Sequence, residues 1–154
     1  MKLKASIDYG VRAIVYLAIK GTTCSSKEIS EKMDVPRDYL IQLGLRLRDC
    51  GLIQARPGKN GGYVLSKSPS EITVKQIFDA FDGDQRGLRH PLKGSKNDAE
   101  MVGKVMQSHR LIVSSLNAFL ESITVQDLID AEVEEGAEAD FIAAAFVRGA
   151  ERRG

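Results

Sequence analysis

Cysteine is scarce in this chain: 154 residues include only Cys24 and Cys50. Two thiols cannot by themselves complete a four-ligand zinc or iron–sulfur site, and in a reducing compartment they stay unpaired. Long apolar runs are also missing. None exceeds the length of residues 13–19, far shorter than the ~20 residues that cross a bilayer. A secretory leader is not expected, because Asp8 and Arg12 interrupt the apolar stretch that would have to follow Lys2 and Lys4. No nucleophile–base motif, phosphate loop or metal-ligand cluster is present, so neither an enzyme nor a metal site is expected. The expectation is a cytoplasmic protein. What remains is ordinary globular composition, 43% apolar and 28% charged. The length suits one domain with a real core, or a small domain with a dimerisation extension.

Net charge is only +1, but it is unevenly spread. Residues 1–67 carry 12 Lys/Arg against 6 Asp/Glu, whereas residues 68–154 carry 10 against 15. A basic half joined to an acidic half suggests that one end meets a polyanion.

Apolar spacing at Ile7, Val11, Ile14, Leu17 and Ala18 predicts a first helix over 6–20. Ser25 and Glu28 form a capping-box pair that opens a second helix. Pro36 suits the first turn of a third, which buries Leu40, Leu43 and Leu47 and stops at Gly51. A helix pair with a tight turn between is the local pattern of a helix-turn-helix. Directly after it, 52–56 and 63–66 read as strands around the turn-rich 57–62, a hairpin or wing with Arg56, Lys59 and Asn60 towards its tip. Thr73 and Gln76 make a second capping box before a helix with an apolar stripe at Val74, Ile77, Phe78 and Phe81.

Residues 83–98 lack periodicity and read as a long loop. A long helix follows over 99–123, with Val102, Val105, His109, Ile112, Leu116, Phe119 and Ile123 in heptad order. One small domain cannot easily cover so long a stripe, so a partner helix is implied, with part of the stripe packing on the chain's own helices. Thr124 and Asp127 cap a further short helix. The expected organisation is a winged helix-turn-helix DNA-binding domain (1–82), the loop (83–98), a dimerisation helix region (99–130) and a tail (131–154) without an assigned role. The fold class is mainly α with a small β-hairpin.

Several segments follow one another in a set order: Tyr9-Gly10-Val11-Arg12-Ala13, Ser26-Lys27-Glu28-Ile29-Ser30, Tyr39-Leu40-Ile41-Gln42-Leu43, Leu45-Arg46-Leu47-Arg48, Gly51-Leu52-Ile53, Gly61-Gly62-Tyr63-Val64-Leu65, Glu71-Ile72-Thr73-Val74 and Thr124-Val125-Gln126-Asp127-Leu128. Together they resemble the Rrf family of bacterial winged-helix transcription regulators, the IscR, NsrR and CymR type. The resemblance covers about residues 1–130. It implies a homodimer that binds double-stranded DNA at a near-palindromic operator, usually as a repressor. Many members hold an iron–sulfur cluster on three cysteines between the fourth helix and the long helix. This chain has none between residues 82 and 104, so it resembles a cluster-free member, with no such cofactor expected. His90 and His109 are a weak metal signal. Ile41 stands where cluster-binding relatives often carry Glu, which implies a different operator, and Arg56-Pro57-Gly58 departs from the usual Arg-Gly at the wing.

On this reading the exposed face of the third helix enters the major groove. Arg37, Asp38, Tyr39, Gln42 and Arg46 are its polar residues. Gln42 is suited to adenine and Arg37 to guanine, while Arg46 and Arg48 either touch phosphate or are simply solvated. Tyr39 either donates to phosphate or packs in the core. Ser6, Ser26 and Lys27 lie near helix starts that can hold phosphate, with plain capping the alternative for the two serines. Arg56, Lys59 and Asn60 suit the backbone or minor groove. Two other readings stay open: a protein-interaction regulator that does not read DNA, with a protein co-regulator or small effector as partner, and a thiol-redox sensor using Cys24 and Cys50. For the second, the start of the second helix would favour a Cys24 thiolate, but a buried, inert Cys50 and an incidental Cys24 are the preferred expectation. His109 either titrates near neutral pH or is a satisfied core residue.

Overall fold

The computed structural model describes residues 2–82 and 98–154. The expected loop (83–98), except for its last residue, and His90 lie outside the described residues. Helix α1 (Ala5–Lys20) buries Ile7, Ala13, Ile14 and Leu17 on one face. It ends where the Gly21 amide donates to Leu17 O at 2.9 Å. Helix α2 (Ser26–Met33) is capped by Ser25, whose hydroxyl accepts from the Glu28 amide at 3.1 Å. The reciprocal half of the expected capping box does not form. The Glu28 carboxylate instead accepts from the Tyr16 hydroxyl at 2.8 Å and pairs with Lys20 at 3.4 Å, tying α2 to α1. Accepting that bond holds Glu28 below its ordinary pKa and pushes the Tyr16 phenol up to about 12.

Asp34 adopts a left-handed turn conformation (φ 52°), and Pro36 caps α3 (Arg37–Asp49) rather than entering its first turn. Leu40, Leu43, Gly44 and Leu47 face inward as the spacing predicts. Arg12 bridges α1 and the end of α2 by pairing with Asp8 and donating to Met33 O. Strands β1 (Ile53–Arg56) and β2 (Gly62–Leu65) form an antiparallel hairpin in the register Ile53↔Leu65 to Arg56↔Gly62.

Helix α4 (Val74–Phe81) starts at the Thr73–Gln76 capping box, and α6 (Val125–Asp130) at the Thr124–Asp127 box. These two starts meet. The Val74 amide donates to Ile123 O at 2.9 Å and the Val125 amide to Ile72 O at 2.8 Å. Val125 thereby enters the main core with α1, α2, α3, the hairpin and α4, so the helix-turn-helix part and the C-terminal part share one interior. A second, smaller core gathers Val74, Ile123 and Ala145, with Phe78, Phe119, Leu120, Leu128 and Phe141 around them.

Helix α5 (Ala99–Ser122) has 24 residues, or about 36 Å at ~1.5 Å per residue. Its C-terminal end belongs to the second core, while the rest stands largely uncovered. The tail, for which composition offered no role, forms α7 (Glu138–Glu151) and packs on α5 through Ala145 and Gly149. Asp127 anchors it. Arg148 Nε lies 3.0 Å from Asp127 Oδ1, an ion pair without the alignment of a hydrogen bond, and Arg152 reaches Asp127 Oδ2 at 3.4 Å and donates to Ser122 O. Burial alone would raise the Asp127 pKa. The Thr124 amide and hydroxyl and the two arginines outweigh it and hold the carboxyl below its ordinary value.

Candidate nucleic-acid interface

Burying Leu40, Leu43 and Leu47 turns the opposite side of α3 to solvent, and Arg37, Asp38, Gln42 and Arg46 are all exposed there. Arg37 Nε donates to Ser26 Oγ at 3.4 Å, which joins the starts of α2 and α3 and brings two of the expected contact residues together. Lys27 is exposed beside them and is 3.9 Å from Glu31. Tyr39 is half-buried, its ring edge-on to Tyr9 at 5.6 Å. That contact is the packing role named as its alternative. Ser6 is half-buried in the first turn of α1 and provides no side-chain cap.

The wing is held beside α3 by two features that pattern reading did not isolate. Tyr63 exchanges backbone hydrogen bonds with Cys24, N to O at 2.8 Å and the reverse at 2.9 Å, so the segment before α2 pairs with the hairpin base. Gly62 makes that approach feasible: its φ is 152°, and a Cβ there would lie 2.0 Å from Cys24 O. The Tyr63 ring then lies against α3 at Gly44, where a Cβ would sit 2.7 Å from the ring's Cζ and hydroxyl. Burial raises the Tyr63 pKa and keeps the phenol neutral. The signals were a glycine in the buried phase of α3 and a glycine pair before an aromatic, both legible as close approaches only once the partners are known.

Arg56 ends β1 opposite Gly62, and Lys59 and Asn60 stand exposed in the turn. Several neighbouring cations are paired: Arg12 with Asp8, Lys20 with Glu28, and Arg48 with Asp49 at 2.9 Å. Among the described residues Arg46, Arg56 and Lys59 make no ion pair. Two apolar residues also face outward on α3, Ile41 and Leu45. Leu45 was given no role of its own from sequence, although it lies out of phase with the buried leucines.

The structure speaks against the alternative of a thiolate at Cys24. The residue is fully buried in the joint between wing and α2, its S–H donates to Thr22 O at 3.5 Å, and burial pushes its pKa up. Cys50, expected to be buried, is instead exposed, because it lies just past the last turn of α3 where no other described segment covers it. On α5, Val105, His109, Ile112 and Leu116 are exposed and Val102 is half-buried. Phe119 packs towards the second core with its ring 5.4 Å from that of Phe146, and Ile123 is buried in that core. These last two are covered by the chain itself, because α4 and α7 close over the C-terminal end of α5.

A recognition helix with a free polar face and a pinned, cationic hairpin beside it define a winged-helix DNA-binding regulator. The Rrf2 family model, described as an iron-dependent transcriptional regulator, matches residues 3–131, and the chain belongs to this family of regulators, not of enzymes. It is 31% identical over 135 residues to the HTH-type transcriptional regulator IscR of Klebsiella pneumoniae, covering 84% of this chain and 80% of that protein. Among solved structures it is similar to T. potens IscR (28% identity, TM-score 0.62, 90% of this chain and 96% of that one). It is also similar to the oxidized form of Staphylococcus aureus CymR (26% identity, TM-score 0.64, 87% and 100%). The family description invokes iron, but the thiols here do not fit an iron–sulfur cluster. There are two in the whole sequence, one locked in the wing joint and one at the end of α3. Among the described residues no three His, Cys, Asp or Glu side chains converge, and no helix is long and apolar enough to cross a membrane.

Proposed function

We propose that this regulator acts in the cytoplasm as a homodimeric repressor that binds a near-palindromic operator without an iron–sulfur cluster. The observation that carries the DNA reading is the exposed polar face of α3, with Arg37, Gln42 and Arg46, beside a wing held against α3 by Tyr63 and carrying Arg56 and Lys59, none of these cations in an ion pair among the described residues. Such cations gain most by displacing counterions from a phosphate backbone. Gln42 and Arg37 then supply bidentate base contacts, with Asp38, Asn60, Ser26 and Lys27 at the margins. The dimer reading is supported by α5, where Ile112 is 62% and Leu116 53% exposed. Apolar side chains repeated along a helix at heptad spacing are covered by a second such helix. A two-fold dimer presents two α3 helices, which is why its operator is near-palindromic.

The test is a mobility shift on DNA selected from a random pool, run across a salt series. Specific binding that weakens steeply with salt, and falls about tenfold or more on Gln42→Ala or Arg37→Ala, is expected for lost bidentate contacts. No specific shift, with both variants unchanged, refutes the DNA reading and favours a protein-interaction regulator.

A further inference from the structure

We propose that Ile41 and Leu45 read thymine methyl groups in the major groove and are specificity-determining residues of this interface. The inference deepens the DNA reading above and rests on it. Both side chains are large and aliphatic, 40% and 47% exposed, on a helix that buries its other leucines almost completely. Their four-residue spacing stacks them one turn apart on the same side of α3. A single exposed leucine is ordinary. A pair on the outward face of a recognition helix, next to Gln42 and between Arg37 and Arg46, forms an apolar ridge inside a polar, cationic surface.

The occupant is identified by chemistry. The surrounding cations, with Arg56 and Lys59 on the wing, call for a polyanion, and the ridge calls for an apolar group held within that polyanion's groove. Among base-pair edges in the major groove, the C5-methyl of thymine is the apolar one. Gln42, next to Ile41 in sequence, carries the amide that pairs bidentately with adenine, so side chains from neighbouring positions are suited to the two members of an A·T pair.

The experiment uses the full chain and a site selected from random DNA. Thymines in the site are replaced one at a time by deoxyuridine, which keeps every hydrogen-bonding group and removes only the methyl. We expect one or two positions per half-site at which the wild type loses about three- to fivefold in affinity, the worth of one buried methyl-sized group. Ile41→Ala and Leu45→Ala should bind the thymine and uracil sites equally at those positions, with the salt slope unchanged, because no phosphate contact is touched. Salt-sensitive specific binding with no thymine–uracil difference anywhere, or a selected site without thymine opposite α3, overturns this inference and leaves the DNA reading standing. Variants that keep full DNA affinity also overturn it and assign the ridge to a protein contact. Absence of specific binding by the wild type overturns both. The uracil comparison on the wild type is independent of how the variants fold.

Discussion

Replacing Gly44 by alanine tests how the wing is held. Glycine inside a helix is normally a liability, and Gly→Ala gains ~0.8–1.0 kcal/mol where the new methyl meets nothing. At Gly44 the methyl would lie 2.7 Å from Cζ and the hydroxyl oxygen of Tyr63. Favourable carbon contacts sit ~3.5–4.0 Å apart, so the ring must retreat by about 1 Å. It cannot take the strand with it cheaply, because the Tyr63 backbone is bonded both ways to Cys24 and is paired with Ala55 in β1. Overpacking of this kind costs ~1–3 kcal/mol. Set against the propensity gain, Gly44→Ala is expected to destabilise by about 1 kcal/mol. Gly103 on α5 is the control. A Cβ there meets nothing within 4 Å, and it lies off the heptad seam, so Gly103→Ala should stabilise by ~0.8–1.0 kcal/mol. Urea unfolding at several protein concentrations measures both and separates subunit association from folding. In a Tyr63→Leu background the penalty at Gly44 should vanish, since the ring end is gone. If Gly44→Ala stabilises as much as Gly103→Ala, the Tyr63 ring does not hold the wing against α3, and the account of the interface geometry fails.

Ile112→Glu should give a folded monomer, because the side chain is exposed within one chain and its charge would be buried between two; sedimentation that still reports a dimer would move the interface off α5. The depressed Asp127 pKa means that its hold on α7 is fully present above the ordinary Asp range and is lost as pH falls through the lower folded value. The protection of α7 amides, corrected for the intrinsic pH dependence of exchange, should fall with acid in the wild type, whereas Asp127→Asn should leave α7 weakly protected at every pH; a protection factor that does not change with acid in the wild type would refute the anchor. Cys50 should react with a thiol reagent at once and Cys24 only as the protein opens, and equal fast labelling of both would contradict the buried joint at the wing.

Local chemistry made much of the molecule legible from sequence. The apolar phase of α1, α3 and α4, the two Thr capping boxes and the turn-rich tip of the hairpin each act through near neighbours, so the order of elements and the exposed polar face of α3 could be read directly. Their consistency with a known family made the class of protein legible too. Contacts between distant segments were not. Glu28 has the residue type of a capping box, yet it turns to Tyr16 and Lys20 because α1 lies within reach. Cys24 precedes a helix and would ionise there if solvated, but β2 pairs across it and removes the water. Phe119 and Ile123 continue the heptad, and α7 covers them; that helix was only a composition without a role until Asp127 gathered Arg148 and Arg152. By itself the sequence determined which faces are apolar and which residues carry charge. The tertiary structure decided which of those faces the chain covers itself and which it leaves exposed, because burial depends on what distant segments bring to the same place.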